Sequence, residues 1–171
     1  MDYILTARSL GKRYKNFKAL NDFSIHVPKG AIYGTENNDP GIGRCRRRMG
    51  AVVETPSIYQ DMTAEDNLKE QYRIIGLPSF DSIPELLRLV GLENTGKKKA
   101  KHFSLGMKQR LGIAIALSGN PDFLILDEPV NGLDPQGIIE VRELILKLNC
   151  EKGITFLISS HILDELSRLA T

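Results

Sequence analysis

The sequence predicts an α/β fold with a mostly parallel sheet core, on three observations. Apolar runs of strand length alternate with segments of helical period along most of the 171 residues. One run, Phe123-Leu124-Ile125-Leu126, has the length and character of a strand buried on both faces. It ends in two adjacent carboxylates, Asp127 and Glu128, at the edge where open α/β sheets place their ligands.

Taken in order, residues 3–10 and 19–27 read as strands, with a turn at Pro28-Lys29-Gly30 and another buried strand over 31–34. Residues 35–43 are polar, turn-rich and aperiodic. A strand resumes over 50–53. Asp61 or Thr63 is placed to cap a helix over 64–75, and a second helix over 83–90 ends at Gly91. Helix dominates to about Ser118, with an apolar stretch over 111–117 and Ser104 ahead of it; Lys97, Lys98, Lys99 and Lys101 are expected on a helix surface. After the strand 123–127 comes an amphipathic helix over 137–148, striped by Ile138, Val141, Leu144 and Leu148, then a strand over 155–158 and a helix over 162–169.

Composition narrows the function classes. With 42% hydrophobic and 26% charged residues the chain reads as one globular domain. A net charge of +2 is too near neutral to argue for nucleic acid, although Arg44, Arg46, Arg47 and Arg48 make a local basic run. Cys45 and Cys150 lack ligand-like spacing, which favours a reducing compartment over a zinc site or disulfide framework. No leader-like segment opens the chain and no apolar run reaches the roughly 20 residues that span a bilayer, so any membrane is expected to be provided by a partner.

The carboxylate pair suits phosphoryl transfer to water: the first can hold Mg²⁺ and the second can orient or deprotonate the attacking water. Ser104 and Gly106 would present a hydroxyl and backbone amides at a helix N-terminus, where anions bind. His161 follows two serines at a strand end, within reach of a phosphate.

In this order the motifs resemble the ATP-binding subunit of an ABC transporter. FSLGM followed by KQRL matches the signature LSGGQ, FLILDE the Walker B strand, NGLD the D-loop and His161 the switch histidine. The resemblance implies a P-loop NTPase-like sheet core formed by 1–62 and 119–171, with a helical signature subdomain at 63–118, in a single domain that stops short at its C-terminal end. It implies Asp127 as the Mg²⁺ ligand and Glu128 as the general base. It also implies that Ser104, Leu105 and Gly106 cover the γ-phosphate of a nucleotide held by a second such subunit, with Asp134 at the dimer interface and His161 on the γ-phosphate. Tyr14 matches the adenine-stacking aromatic, and Glu54 stands where most of the family has a glutamine touching magnesium, water and the membrane subunit. Glu54, Tyr59 and the segment 62–68 resemble the bacitracin and lantibiotic exporter branch. The cofactors implied are ATP and Mg²⁺. The partners implied are a membrane-spanning permease and a second ATP-binding subunit, on the cytoplasmic face of the membrane.

One family motif is missing. G-x-x-x-x-G-K-[ST] is expected after residue 34, because its glycines let backbone N–H groups wrap the phosphates. The nearest stretch is Asn38-Asp39-Pro40-Gly41-Ile42-Gly43-Arg44-Cys45: arginine replaces the lysine, cysteine the magnesium-binding hydroxyl and asparagine the first glycine, and Pro40 lacks a donor. The helix that should follow is absent as well, so the fold is expected to lack the P-loop helix. Losing two charge-assisted contacts should weaken nucleotide binding by about 10²–10⁴-fold, and hydrolysis by more. A catalytically dead subunit that completes a partner's site is the alternative. A nucleic-acid-associated ATPase of the same superfamily is disfavoured by the charge and by the lack of coiled-coil heptads.

Overall fold

The computed structural model describes residues 3–14, 17–28, 48–53 and 56–160, the first two stretches as backbone. Strands β1 (Tyr3–Tyr14) and β2 (Phe17–Pro28) form a two-stranded antiparallel sheet. Both outrun the expected spans. Cross-strand backbone pairing carries Lys12, Arg13 and Tyr14, where no apolar alternation marks a strand, and the register shifts several times along the ladder.

The second sheet is parallel, ordered β3 (Met49–Val53), β4 (Phe123–Asp127), β5 (Thr155–Ser159). Its register sets Asp127 beside Val53 on one side and Ser159 on the other. The expected strand at 31–34 and helix at 162–169 lie outside the described residues.

Between β3 and β4 come α1 (Ala64–Ile75), α2 (Ile83–Leu89), two 3-10 turns and α3 (Leu105–Leu117); α4 (Pro135–Lys152) joins β4 to β5. Local chemistry sets the ends of α1. Thr63 accepts from the Asp66 N–H and donates to the Asp66 carboxylate, and Gly76 closes the helix at φ 73°. Buried Asn67 ties the approach to this helix, accepting from the Tyr59 N–H and donating to the Tyr59 and Thr63 carbonyls. Similarly, α4 starts two residues ahead of the expected 137 because Pro135 occupies its first turn behind the cap Asp134, and it runs on to Gly153 at φ 66°.

The lysines before Phe103 do not decorate an α-helix. Gly96 at φ 51° turns the chain, and the segment then bonds to the loop before α1: the Ala100 N–H to the Met62 carbonyl and the Lys101 N–H to the Gln60 carbonyl, both at 2.8 Å. The helix after them starts at Leu105, earlier than the apolar stretch at 111 suggests, because Ser104 caps it.

One core joins sheet and helices: Val52, Leu124, Leu126 and Phe156 share a buried cluster with Leu68, Leu87, Leu111, Ile113 and Val141. Leu111, Ile113 and Ala114 are fully buried although they point to different sides of α3, which marks that helix as the centre of the domain. Burial of one such Leu or Ile side chain contributes about 1.5–3 kcal/mol. Two glycines let α3 sit close to its neighbours. A Cβ on Gly50 would lie 2.4 Å from the Ala116 carbonyl oxygen, and one on Gly112 would lie 2.5 Å from the Pro56 Cβ. Among the described residues no helix is long and apolar enough to cross a membrane.

Candidate active site at the carboxyl edge of the sheet

Asp127 is the last residue of β4 and Glu128 the first beyond it, so both stand at the carboxyl edge of the parallel sheet. Both are half-buried. The chain turns sharply there: Glu128 takes φ 49°, a left-handed conformation that costs a residue with a Cβ about 1–2 kcal/mol. Backbone bonds hold the turn. The Glu128 N–H donates to the Ser159 carbonyl at 3.0 Å, and the Glu128 carbonyl accepts from the Asn131 N–H at 3.1 Å. Buried Pro129 and Val130 anchor the loop that follows.

Ser159 joins the two carboxylate residues. Its hydroxyl donates to Asp127 Oδ1 and also accepts from the Glu128 N–H at 3.3 Å. The sequence reading did not single out Ser159. The signal that could have found it is parallel pairing, which puts the last residues of adjacent strands side by side at one edge.

The loop from Glu128 leads to a second cluster. Asp134 is exposed and caps α4 through the Gly137 N–H at 3.3 Å. Gly137 in turn faces the start of α3: a Cβ on Gly106 would lie 3.6 Å from the Gly137 Cα, and one on Gly132 would lie 3.3 Å from Leu105 Cδ2. Ser104 accepts from the Met107 N–H at 3.2 Å, which leaves its hydroxyl proton for another acceptor. Leu105 is 46% exposed and Gly106 is buried. The structure therefore gathers Asp127 with Glu128, and Leu105 and Gly106 with the turn capped by Asp134.

Two further residues of α3, quoted in the signature match, were given no role by the sequence reading. Gln109 is 4% exposed, and its Nε2 has no hydrogen-bond partner. Arg110 spans three elements, donating to the Val90 and Gly91 carbonyls after α2 and pairing with Glu140 on α4. Of the remaining expected site residues, Glu54, His161 and the Tyr14 side chain lie outside the described residues, as does the degenerate loop 38–45.

No group of three or more metal-binding side chains occurs among the described residues. Asp127 alone still fits Mg²⁺ bound with a nucleotide, because that ion is usually held by one or two carboxylates together with phosphates and waters. Oxygen ligands of this kind suit Mg²⁺ and not a thiophilic metal.

Comparison with known proteins places the chain in a family. The family described as ABC transporter matches residues 20–131. The bacitracin transport ATP-binding protein BcrA of Bacillus licheniformis is 40% identical over 199 residues, taking in 99% of this chain and 65% of BcrA. The lantibiotic transport ATP-binding protein SrtF of Streptococcus pyogenes is 38% identical over 195 residues, taking in 98% of this chain and 84% of SrtF. Among solved structures, cbiO1 from Clostridium perfringens, part of the ABC transporter complex cbiONQ, superposes with a TM-score of 0.80 at 24% identity, over 97% of this chain and 81% of that one. At that identity the likeness shows the fold.

The chain belongs to the ABC transporter family. It spans 65% of the length of BcrA. The aligned stretches, 199 and 195 residues, exceed the 171 residues of this chain, so both relatives carry internal residues with no counterpart here.

Proposed function

We propose that this chain is the ATP-binding subunit of a bacitracin- or lantibiotic-type exporter, with a weakened hold on its own nucleotide. The observation that carries the reading is the pair Asp127 and Glu128 at the carboxyl edge of the sheet, the second held in a left-handed turn. The names of BcrA and SrtF support the exporter branch.

In this reading ATP binds with Mg²⁺, which supplies charge neutralisation on the phosphates. Asp127 and Glu54 serve the ion, and Glu128 orients and deprotonates the attacking water. Tyr14 stacks on adenine and His161 contacts the γ-phosphate. Ser104, Leu105 and Gly106 serve the nucleotide of a second subunit, and Asp134 sits at that interface. The helical segment 63–118 is a subdomain set on a sheet core of 1–62 and 119–171. A membrane-spanning permease recruits the chain to the cytoplasmic face of the membrane.

A second reading is favoured by two observations: the relatives carry internal residues that this chain lacks, and it has no match to G-x-x-x-x-G-K-[ST]. The chain then completes a partner's ATP site while its own is dead. Titration calorimetry with ATP and Mg²⁺ separates the two. Binding that Tyr14→Ala abolishes, with turnover that Glu128→Gln abolishes, supports the enzyme; no binding by the wild type leaves the partner-completing subunit.

A further inference from the structure

We propose that Ser159 is a positioning residue, which locks the Asp127 carboxylate and the Glu128 backbone into one unit and so fixes the orientation in which Asp127 is offered to a divalent cation. The inference rests on the assignment of Asp127 to Mg²⁺ above.

The hydroxyl of Ser159 has one proton, and it is given to Asp127 Oδ1. One lone pair of the same oxygen accepts the Glu128 N–H, which also reaches the Ser159 carbonyl. The hydroxyl thus joins the two consecutive residues to which opposite tasks fall, holding a cation and handling a water. Rotation of the Asp127 carboxylate would break the first bond, and release of the Glu128 turn would break the second. The serine thereby fixes the rotation of the Asp127 carboxylate through Oδ1.

Two features show that the contact is built into the fold. β4 and β5 pair in register from Phe123↔Thr155 to Asp127↔Ser159, so four residue pairs along the ladder set the side-by-side placement before the hydroxyl acts. The left-handed φ of Glu128 is a cost that only a surrounding bond network sustains. Partners that orient a ligating carboxylate typically change metal affinity by about 10–100-fold when removed.

The test compares the full chain with Ser159→Ala, Ser159→Thr and Asp127→Asn, using Mn²⁺ alone as a paramagnetic probe and backbone amide NMR as readout. In the wild type, Mn²⁺ should broaden the amides around Asp127, and Asp127→Asn should abolish this. Ser159→Ala should raise the Mn²⁺ needed by about 10–100-fold and move the Glu128 amide resonance before any metal is added, with the amides of α1 unmoved. Ser159→Thr, which keeps the hydroxyl, should restore both.

The inference is overturned if Ser159→Ala leaves both the Mn²⁺ requirement and the Glu128 resonance at their wild-type values, or if threonine fails to restore them. Broadening that survives Asp127→Asn, or is absent in the wild type, refutes the metal assignment of the proposed function instead. The Glu128 resonance in metal-free protein then decides the positioning role alone.

Discussion

Arg110 Nη2 lies 3.2 Å from Glu140 Oε2, and the same guanidinium donates through Nη1 to the carbonyls of Val90 and Gly91 at 2.9 and 3.0 Å. One side chain on α3 therefore fastens the end of α2 and the outer face of α4. With 16% of its side chain exposed, the ion is largely desolvated, so its bonds count for more than those of a surface pair. Arg110→Ala should destabilise the chain by about 2–3 kcal/mol, read as a lowered urea midpoint. Arg110→Lys should recover less than half of the loss, because an ammonium cannot reproduce the planar fork that reaches three oxygens.

The cap of α1 offers a smaller effect. Thr63 both accepts from the Asp66 N–H and donates to its carboxylate. Thr63→Ala should cost about 1 kcal/mol and Thr63→Ser much less, measured by denaturant unfolding.

Gly50 is sterically fixed. A methyl group there would meet the Ala116 carbonyl oxygen at 2.4 Å and Leu124 Cδ2 at 2.5 Å, and the first of these is backbone that cannot rotate away. Gly50→Ala should therefore destabilise by about 1–3 kcal/mol through overpacking. Gly96→Ala should not clash at all, since nothing stands within 4 Å, and should cost only the strain of its φ of 51°.

Asp61 titrates below the ordinary carboxylate value of 3.8, chiefly because Lys101 donates a hydrogen bond to it and adds its charge, with Lys99 and His102 contributing. A lowered folded value stabilises the fold above the ordinary value, and that contribution is lost as pH falls through the folded one. Lys101→Met should raise the Asp61 midpoint toward 3.8 in an NMR titration and flatten the acid limb of the stability profile that this pair controls.

The left-handed turn at Glu128 predicts a trade between stability and function. Glu128→Ala and Glu128→Gly both remove the carboxylate, but only glycine adopts φ 49° without penalty. The glycine variant should be the more stable of the two by about 1 kcal/mol, and both should lack the hydrolytic step proposed for the wild type. Paired thermal unfolding of the two variants isolates the backbone cost.

What the sequence made legible follows from how local each signal is. The helix at Ala64–Ile75 was readable because Thr63, the apolar period and Gly76 all lie within it or next to it. β4 was readable because a strand covered on both faces leaves a continuous apolar run. The lysines before Phe103 misled, because their fate depends on bonds to residues 60–62, distant in sequence. Ser159 was hidden for the same reason. A serine at a strand end carries no mark of its neighbour until the parallel register places Asp127 beside it. Gly106 read as part of a phosphate-facing loop, whereas in the fold it is also the point of contact with Gly137, a role that belongs to packing between helices.

The strand order β3, β4, β5 also bears on how the chain assembles. β3 is made early, yet among the described residues it pairs with β4, and α1, α2 and α3 are all synthesised before β4. Each of the two ladders closes a long loop before it gains any contact, which slows folding. During translation the helices can collapse onto α3 while the β4-facing side of β3 is still unpaired, with Val53 exposed at its end. That nascent edge is a place where a trigger of aggregation, or a chaperone that prevents it, would find this protein.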